Sequence, residues 1–504
     1  MIRFTNHTYA LRRLALGAAM LVVFVGLTAQ VSPQSSSQQA PDFSFTTNEV
    51  LCVFHFVHTA AEGEHSSQSY RAFIEEKTAG DTVFASLVAD FKSIDFSSGY
   101  RRSGLPKRRY RARTVMDFMW THSAASSDLE DFAQRIFGLL PVQEHAKLEG
   151  VLAKARPYYR RLVWDPQLAN IQRTERFLDA YEDRVSMLFL QVSNFYGTPW
   201  PSDIPFTTAL CPIPLASGVT SAVPKVNTLV CSYLSENDED YKATLGVAVH
   251  EMCHSIYDEQ PASLQKEIDD WFMLSKSPYA THAYAYFNEG LATAIGNGWA
   301  YEQLNGYVDE ADWYADETID GFAKAIHPLI NAYLRERQTI DRPFVDAAIE
   351  AFAKTFPDSD RDLNVLLNRV GIYSNTEDEE SLTNYTDELF QRFKVSSSFL
   401  RAPLTSPGAK ASMGYPQLTK LIIVDDEPAE NWDRLGNKFE EIAAVNRPRS
   451  KNYSYTFYDS PSKSTVILLV VENTDALSQL LEVYKLQPLV ELGQSVSLDR
   501  RAGE

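Results

Sequence analysis

The stretch Leu245-Gly-Val-Ala-Val-His-Glu-Met-Cys-His-Ser-Ile-Tyr257 decides how the rest of the chain is read. It contains His250-Glu251-Met252-Cys253-His254, an H-E-x-x-H pattern. On a helix, side chains four positions apart stand one above the other, so the two imidazoles can share one metal ion. Glu251 points to the same side, within reach of a water on that metal. The periodicity supports a helix. Leu245, Ala248, Val249, Met252, Cys253 and Ile256 form one apolar stripe, and Val247, His250, Glu251, His254 and Asp258 line the face beside it.

Working outward, 504 residues with 44% hydrophobic content are enough for two or three domains with full cores. The first residues differ from the rest. Arg3, Arg12 and Arg13 precede the apolar run from Leu14 to Leu27, and small residues follow. This is the layout of a secretory signal peptide over residues 1–29, too short for a typical membrane span, with an uncleaved anchor as the alternative. Its removal takes three positive charges from a chain already at −19. So acidic a surface speaks against a nucleic-acid partner. A periplasmic or secreted protein, without membrane insertion once the signal is gone, is expected. Four cysteines are few for an exported chain, so the fold should rest on its core. Cys211 and Cys231 flank a strand-rich stretch and could pair, whereas Cys253 belongs to the apolar stripe.

Residues 30–42 are a polar linker, and residues 43–200 a mostly helical region. Within it, Val50 to Val57 is a buried strand or the start of a core helix, and His55 and His58 are packing or surface residues. Arg101 to Arg113 carries seven basic residues in thirteen. It reads as a solvated loop, with an anion contact or a processing site that releases a zymogen as alternatives. Ser127 with Glu130, Pro141 and Asp165-Pro166 mark the starts of three helices, the last running to about Tyr196.

Residues 201–357 surround the motif. Asn227 to Tyr233 is strand-like, and its position suggests a cleft rim able to pair with an extended peptide. Ser235 to Asp240 supplies acidic capping residues for the motif helix, which Pro261 ends. Tyr284 to Trp299 reads as a second helix, with Phe287, Leu291, Ile295 and Trp299 as its apolar stripe and Gly290, Ala292 and Gly296 as small residues that admit another backbone. Helices at about 312–335 and 344–356 follow. Residues 358–490 mix strands and helices in a smaller α/β region, and 491–504 form a tail.

A catalytic zinc needs three protein ligands and an open position. Glu289, in Asn288-Glu-Gly-Leu-Ala292, is the leading third ligand, 35 positions after His254 on the second helix. Asp258, Glu259, Glu267 and Asp269 compete for the role without a supporting motif. Together the two motifs resemble the gluzincins, zinc peptidases whose third ligand is a glutamate on a following helix, and Asn-Glu-Gly-Leu-Ala looks like the aminopeptidase N and thermolysin-like branch. The resemblance covers about residues 240–300. It departs from aminopeptidase N in a longer interval between the motifs and in lacking the Gly-x-Met-Glu-Asn signature that holds a free amino terminus.

The resemblance implies an α+β fold, a helix-rich zincin-like metallopeptidase region followed by the smaller α/β region. It also implies one Zn²⁺ on His250, His254 and Glu289, and hydrolysis of peptide or protein substrates. Glu251 would be the general base that takes a proton from the activated water and passes it to the leaving amine. A downstream His or Tyr would stabilise the oxyanion, with His327 first and Tyr333 and Tyr373 behind it. A catalytically inactive zinc-binding or envelope-scaffold protein is the alternative, although neither needs a base at Glu251. Oligomeric state is left open.

Overall fold

A computed structural model describes residues 42–63, 66–101, 112–214, 221–234, 241–415 and 418–498. The signal-peptide and linker readings, most of the basic segment, the acidic stretch 235–240 and the end of the tail lie outside the described residues.

The fold is α+β, with two mixed sheets and a small ribbon among many helices. β1 (Phe43–Thr46) leads into α1 (Glu49–Ala60), so the ambiguous apolar run from Val50 is helix. Asn48 caps it by accepting from the Leu51 amide at 2.7 Å. β2 (Gly99–Arg101) and β3 (Ala112–Thr114) pair as an antiparallel ribbon. β3 runs straight into α2 (Val115–Ala124).

The helices beyond α2 depart from expectation in detail. Asp128, not Ser127, caps the helix Leu129–Arg135, because its carboxylate accepts from the Asp131 amide at 2.9 Å. Asp165 does not open a new helix, since Val142–Tyr159 continues through a π-helical turn, Arg160–Trp164, into Asp165–Asp179. The long third helix is therefore two, the second being α3 (Glu182–Tyr196), which Gly197 ends at φ +66°.

β4 (Phe206–Ile213), β5 (Ser221–Lys225) and β6 (Thr228–Leu234) join β1 in a four-stranded sheet of order β1-β4-β6-β5. β1, β4 and β6 are parallel, and β5 runs antiparallel at the edge. A strand from the start of the helical region thus completes the sheet beside the motif helix. The pleat sends alternate residues to opposite faces. Phe206, Leu210, Leu229, Cys231 and Tyr233 enter the core shared with the motif helix, while Ala209, Cys211, Ile213 and Val230 enter the core built on α1.

The motif helix is α4 (Tyr241–Asp258), and α5 (Ala280–Thr293) packs against it. The anticipated stripe is the buried one, as Leu245, Ala248, Val249, Met252, Cys253 and Ile256 are at most 1% exposed while Val247 is 39% exposed. Each large apolar side chain buried this way contributes about 1.5–3 kcal/mol, so the stripe holds α4 in place and leaves its histidine face for chemistry. α5 passes into a π-helical segment, Ala294–Ala300, and α6 (Glu317–Glu336) packs on both.

The C-terminal region is a six-stranded sheet of order β12-β10-β11-β9-β7-β8. Its strands are β7 (Arg369–Ser374), β8 (Ser397–Arg401), β9 (Thr419–Val424), β10 (Tyr453–Asp459), β11 (Ser464–Val470) and β12 (Gln494–Ser497). β7, β8, β9 and β11 are parallel, and β10 is antiparallel to both neighbours. Apolar cores cover both faces, which explains the unbroken run Leu421 to Val424. Among the described residues no helix is long and apolar enough to cross a membrane.

Candidate metal centre

Two crossing helices build the site. α4 supplies His250 and His254 one turn apart, both under 10% exposed. α5 supplies Glu289, whose side chain is 38% exposed. α4 and the π-helical segment that continues α5 approach closely where they lack side chains. A Cβ on Gly296 would fall 2.5 Å from the His250 amide nitrogen, and one on Gly246 would fall 3.2 Å from the Gly296 carbonyl oxygen. Gly290, also expected to admit a backbone, faces the Phe322 ring of α6 instead.

The donor atoms converge. His250 Nε2 and His254 Nε2 are 3.2 Å apart, Glu289 Oε2 is 3.6 Å from His250 Nε2, and Glu289 Oε1 is 3.5 Å from His254 Nε2. These three residues form the one group of metal-binding geometry among the described residues. Of the competing acids, Glu259 instead receives a hydrogen bond from Arg113 at 3.1 Å, and Asp258, Glu267 and Asp269 are not part of the group.

The electrostatics follow from crowding in a partly dry setting. Burial alone would raise the Glu289 pKa, but hydrogen bonds and charge from His250 and His254 outweigh it and hold the carboxyl well below its usual range. Burial would lower His254, yet its contact with Glu289 leaves it raised, and Asn288 adds to this. Glu251 is raised, first by burial and also by Glu289, against the lowering pull of the histidines. A raised carboxylate beside the donors is suited to picking up a proton.

Tyr314 is the residue that the sequence reading missed. Its ring stacks on His250 with centroids 6.0 Å apart and planes at 21°. Burial, then the charges of Glu289 and Glu251, push its hydroxyl up to about 12, so it stays a donor. The loop that carries it is pinned. Trp313 N donates to Asp320 at 2.7 Å, Trp313 Nε1 donates to the Asp309 carbonyl at 2.9 Å, and Asn297 Nδ2 donates to the Trp313 carbonyl at 3.1 Å. A helix expected from Asp312 concealed this loop. α6 starts at Glu317, with Asp316 accepting from the Thr318 and Ile319 amides.

His327 is packed edge-on against Trp313 with centroids 5.1 Å apart, and its Nε2 is 3.3 Å from Asn331 Nδ2. Burial lowers its pKa, opposed by Glu302, and neither Glu251 nor Glu289 contributes. Tyr333 donates to Asp341 at 2.9 Å, and Tyr373 is fully buried in the C-terminal sheet. Of the three oxyanion candidates read from sequence, none has a contact with the donor trio comparable to that of Tyr314.

Two further expectations are corrected. β6 is hydrogen-bonded on both sides, by β4 and β5, and so has no edge to offer a peptide; among the described residues the outer strands of this sheet are β1 and β5. Cys231 lies opposite Leu210 in the sheet register, which sends Cys211 to the other face, so these two thiols cannot pair. All four cysteines are buried and free.

No family model, curated protein or solved structure matches this chain.

Proposed function

We propose that the chain is an exported zinc-dependent metallopeptidase of the gluzincin kind, acting on peptide or protein substrates in the periplasm or outside the cell. The observation that carries this reading is the spacing of the donors. Ligand bonds of 2.0–2.1 Å in a tetrahedral zinc site put neighbouring donor atoms about 3.3 Å apart. Here the two imidazole nitrogens are 3.2 Å apart, and each lies 3.5–3.6 Å from one of the two oxygens of Glu289, whose side chain is 38% exposed. When bound there, zinc supplies Lewis acidity and a lowered pKa for a water.

The chain's own residues do the rest. Glu251 takes the proton of the attacking water and returns it to the leaving amine nitrogen. Tyr314 donates its hydroxyl hydrogen to the oxygen on which charge develops. The outer edge of β5 holds an extended substrate by main-chain hydrogen bonds.

The test is cleavage of fluorescein-labelled casein. A chelator should abolish it and added zinc should restore it. Cleavage that survives complete metal removal would sink the reading.

A further inference from the structure

Five consecutive residues, Arg113 to Asp117, hold both elements that flank the metal centre. Arg113 Nη2 donates to Glu259 Oε1 at 3.1 Å, just past the end of α4. Asp117 Oδ1 lies 3.3 Å from Lys225 Nζ, at the end of β5. The side chains of Asp117 and Lys225 are only 14% and 18% exposed, so solvent screens this pair less than a surface pair. The second Asp117 oxygen accepts from the Thr114 amide at 2.9 Å and closes the first turn of α2. Thr121 Oγ1, one turn along α2, reaches the Lys225 carbonyl at 3.5 Å.

The strand held in this way ends in a strained turn. Val226 has φ +56° in the two-residue loop joining β5 to β6. Glycine is favoured where such loops need positive φ, and a β-branched residue persists there only where surrounding contacts over-determine it. The grip of Asp117 and Thr121 on Lys225, the neighbouring residue, supplies such contacts.

The register also shows what the edge offers. Lys225 pairs with Thr228 across the two-residue loop, and Val223 with Val230. These are the hydrogen-bonded pairs, since antiparallel pairs alternate and the pair flanking such a loop is hydrogen-bonded. Ala222 and Pro224 therefore turn their polar groups to the outer edge. Ala222 offers an N–H and a carbonyl, and Pro224 offers a carbonyl only. Ala222 lies opposite Cys231, and β5 packs against α4, so this short edge runs along the helix that carries the histidines.

We propose that the Arg113–Asp117 segment is a positioning clamp that fixes β5 against α4, and thereby sets the register in which an extended peptide pairs with the Ala222–Pro224 edge. This rests on the peptidase reading. In the paired state the peptide donates to the Ala222 and Pro224 carbonyls and accepts from the Ala222 amide. Asp117 acts through β5 and does not touch the reacting atoms.

The test has two arms, both on the full chain. In the first, hydrogen exchange of Asp117→Asn is compared with wild type, and the paired amides of Val223 and Lys225 should exchange about tenfold faster while β4 is unchanged. In the second, fluorescein-labelled casein is bound to Glu251→Gln with and without Asp117→Asn, and the added substitution should raise Kd about tenfold with zinc content intact. In the active background KM should rise by a similar factor with kcat within about twofold, and Asp117→Glu should recover part of the loss. Should Asp117→Asn fail to fold, Lys225→Gln breaks the same pair from the other side. Unchanged exchange in β5 overturns the clamp whether or not the chain is a peptidase. Faster exchange with unchanged casein binding overturns its role in setting the peptide. Failure of the peptidase reading shows separately, as wild-type protein that holds zinc yet neither binds nor cleaves casein. That result removes the peptide half of the proposal, and the exchange arm still decides the clamp.

Discussion

Gly296 lies directly against the backbone of His250, where a Cβ would come within 2.5 Å of the amide nitrogen and 2.6 Å of Cα. Those atoms belong to a buried helix and have no free end that can swing aside. Gly296→Ala must therefore push α4 away from the π-helical segment that continues α5, and so pull Glu289 away from the histidines. Metal affinity should fall by about 10–100-fold, the range seen when the supports of a ligand are disturbed. Competition with a chromophoric chelator measures it, and an unchanged affinity would show that this contact does not set the donor spacing.

Glu289→Ala removes one donor of three and leaves two histidines on one helix. The purified variant should carry well under one equivalent of zinc by elemental analysis, where wild type carries about one. Full occupancy would give the third position to another acid.

Tyr314→Phe keeps the ring on His250 and removes only the hydroxyl. If that hydroxyl serves the oxyanion, kcat for casein cleavage should drop about 10²–10³-fold with little change in KM. His327→Ala, which removes a ring packed on Trp313, should cost far less in kcat. The opposite ranking would restore His327 to the role first read for it.

Lys420 sits in the C-terminal sheet with no exposed surface, and its ammonium donates to the Tyr415 and Leu418 carbonyls and to the Ser462 and Ser464 hydroxyls. Desolvation of the ammonium lowers its pKa from an ordinary 10.5 to about 8. Between those values the unfolded chain binds a proton that the folded chain has released, so stability from this group rises with pH across the window. Wild type should therefore gain stability relative to Lys420→Met between pH 8 and pH 10.5, read as urea midpoints. A gap independent of pH would mean that the buried amine keeps its ordinary affinity for protons.

The donor trio was legible in the sequence because each part is local. His250 and His254 are tied by helical spacing, and Glu289 sits in a short motif on an amphipathic helix. The buried stripe of α4 followed from the same periodicity. Tyr314 was hidden because its place depends on a loop folding back onto α4 from more than fifty residues downstream, and no local pattern records that. The pairing of β6 with β4 spans about twenty residues. Its pairing with β5 is a local hairpin, hidden because the two-residue loop carries Val226 at φ +56° where turn rules look for glycine. The helix starts at Asp128 and Asp316 were within reach of capping rules and were displaced by one residue and by about five, respectively.

The proposed mechanism depends most on Glu251 as the proton carrier beside a bound metal. The direct measurement is a peptide-library digest read by mass spectrometry, run on wild type and on Glu251→Gln with zinc measured in both. The prediction is about one equivalent of zinc in each protein, cleavage by wild type, and none above background for Glu251→Gln. Equal cleavage by the two proteins would contradict the mechanism, and zinc-loaded wild type that cleaves nothing would contradict the function.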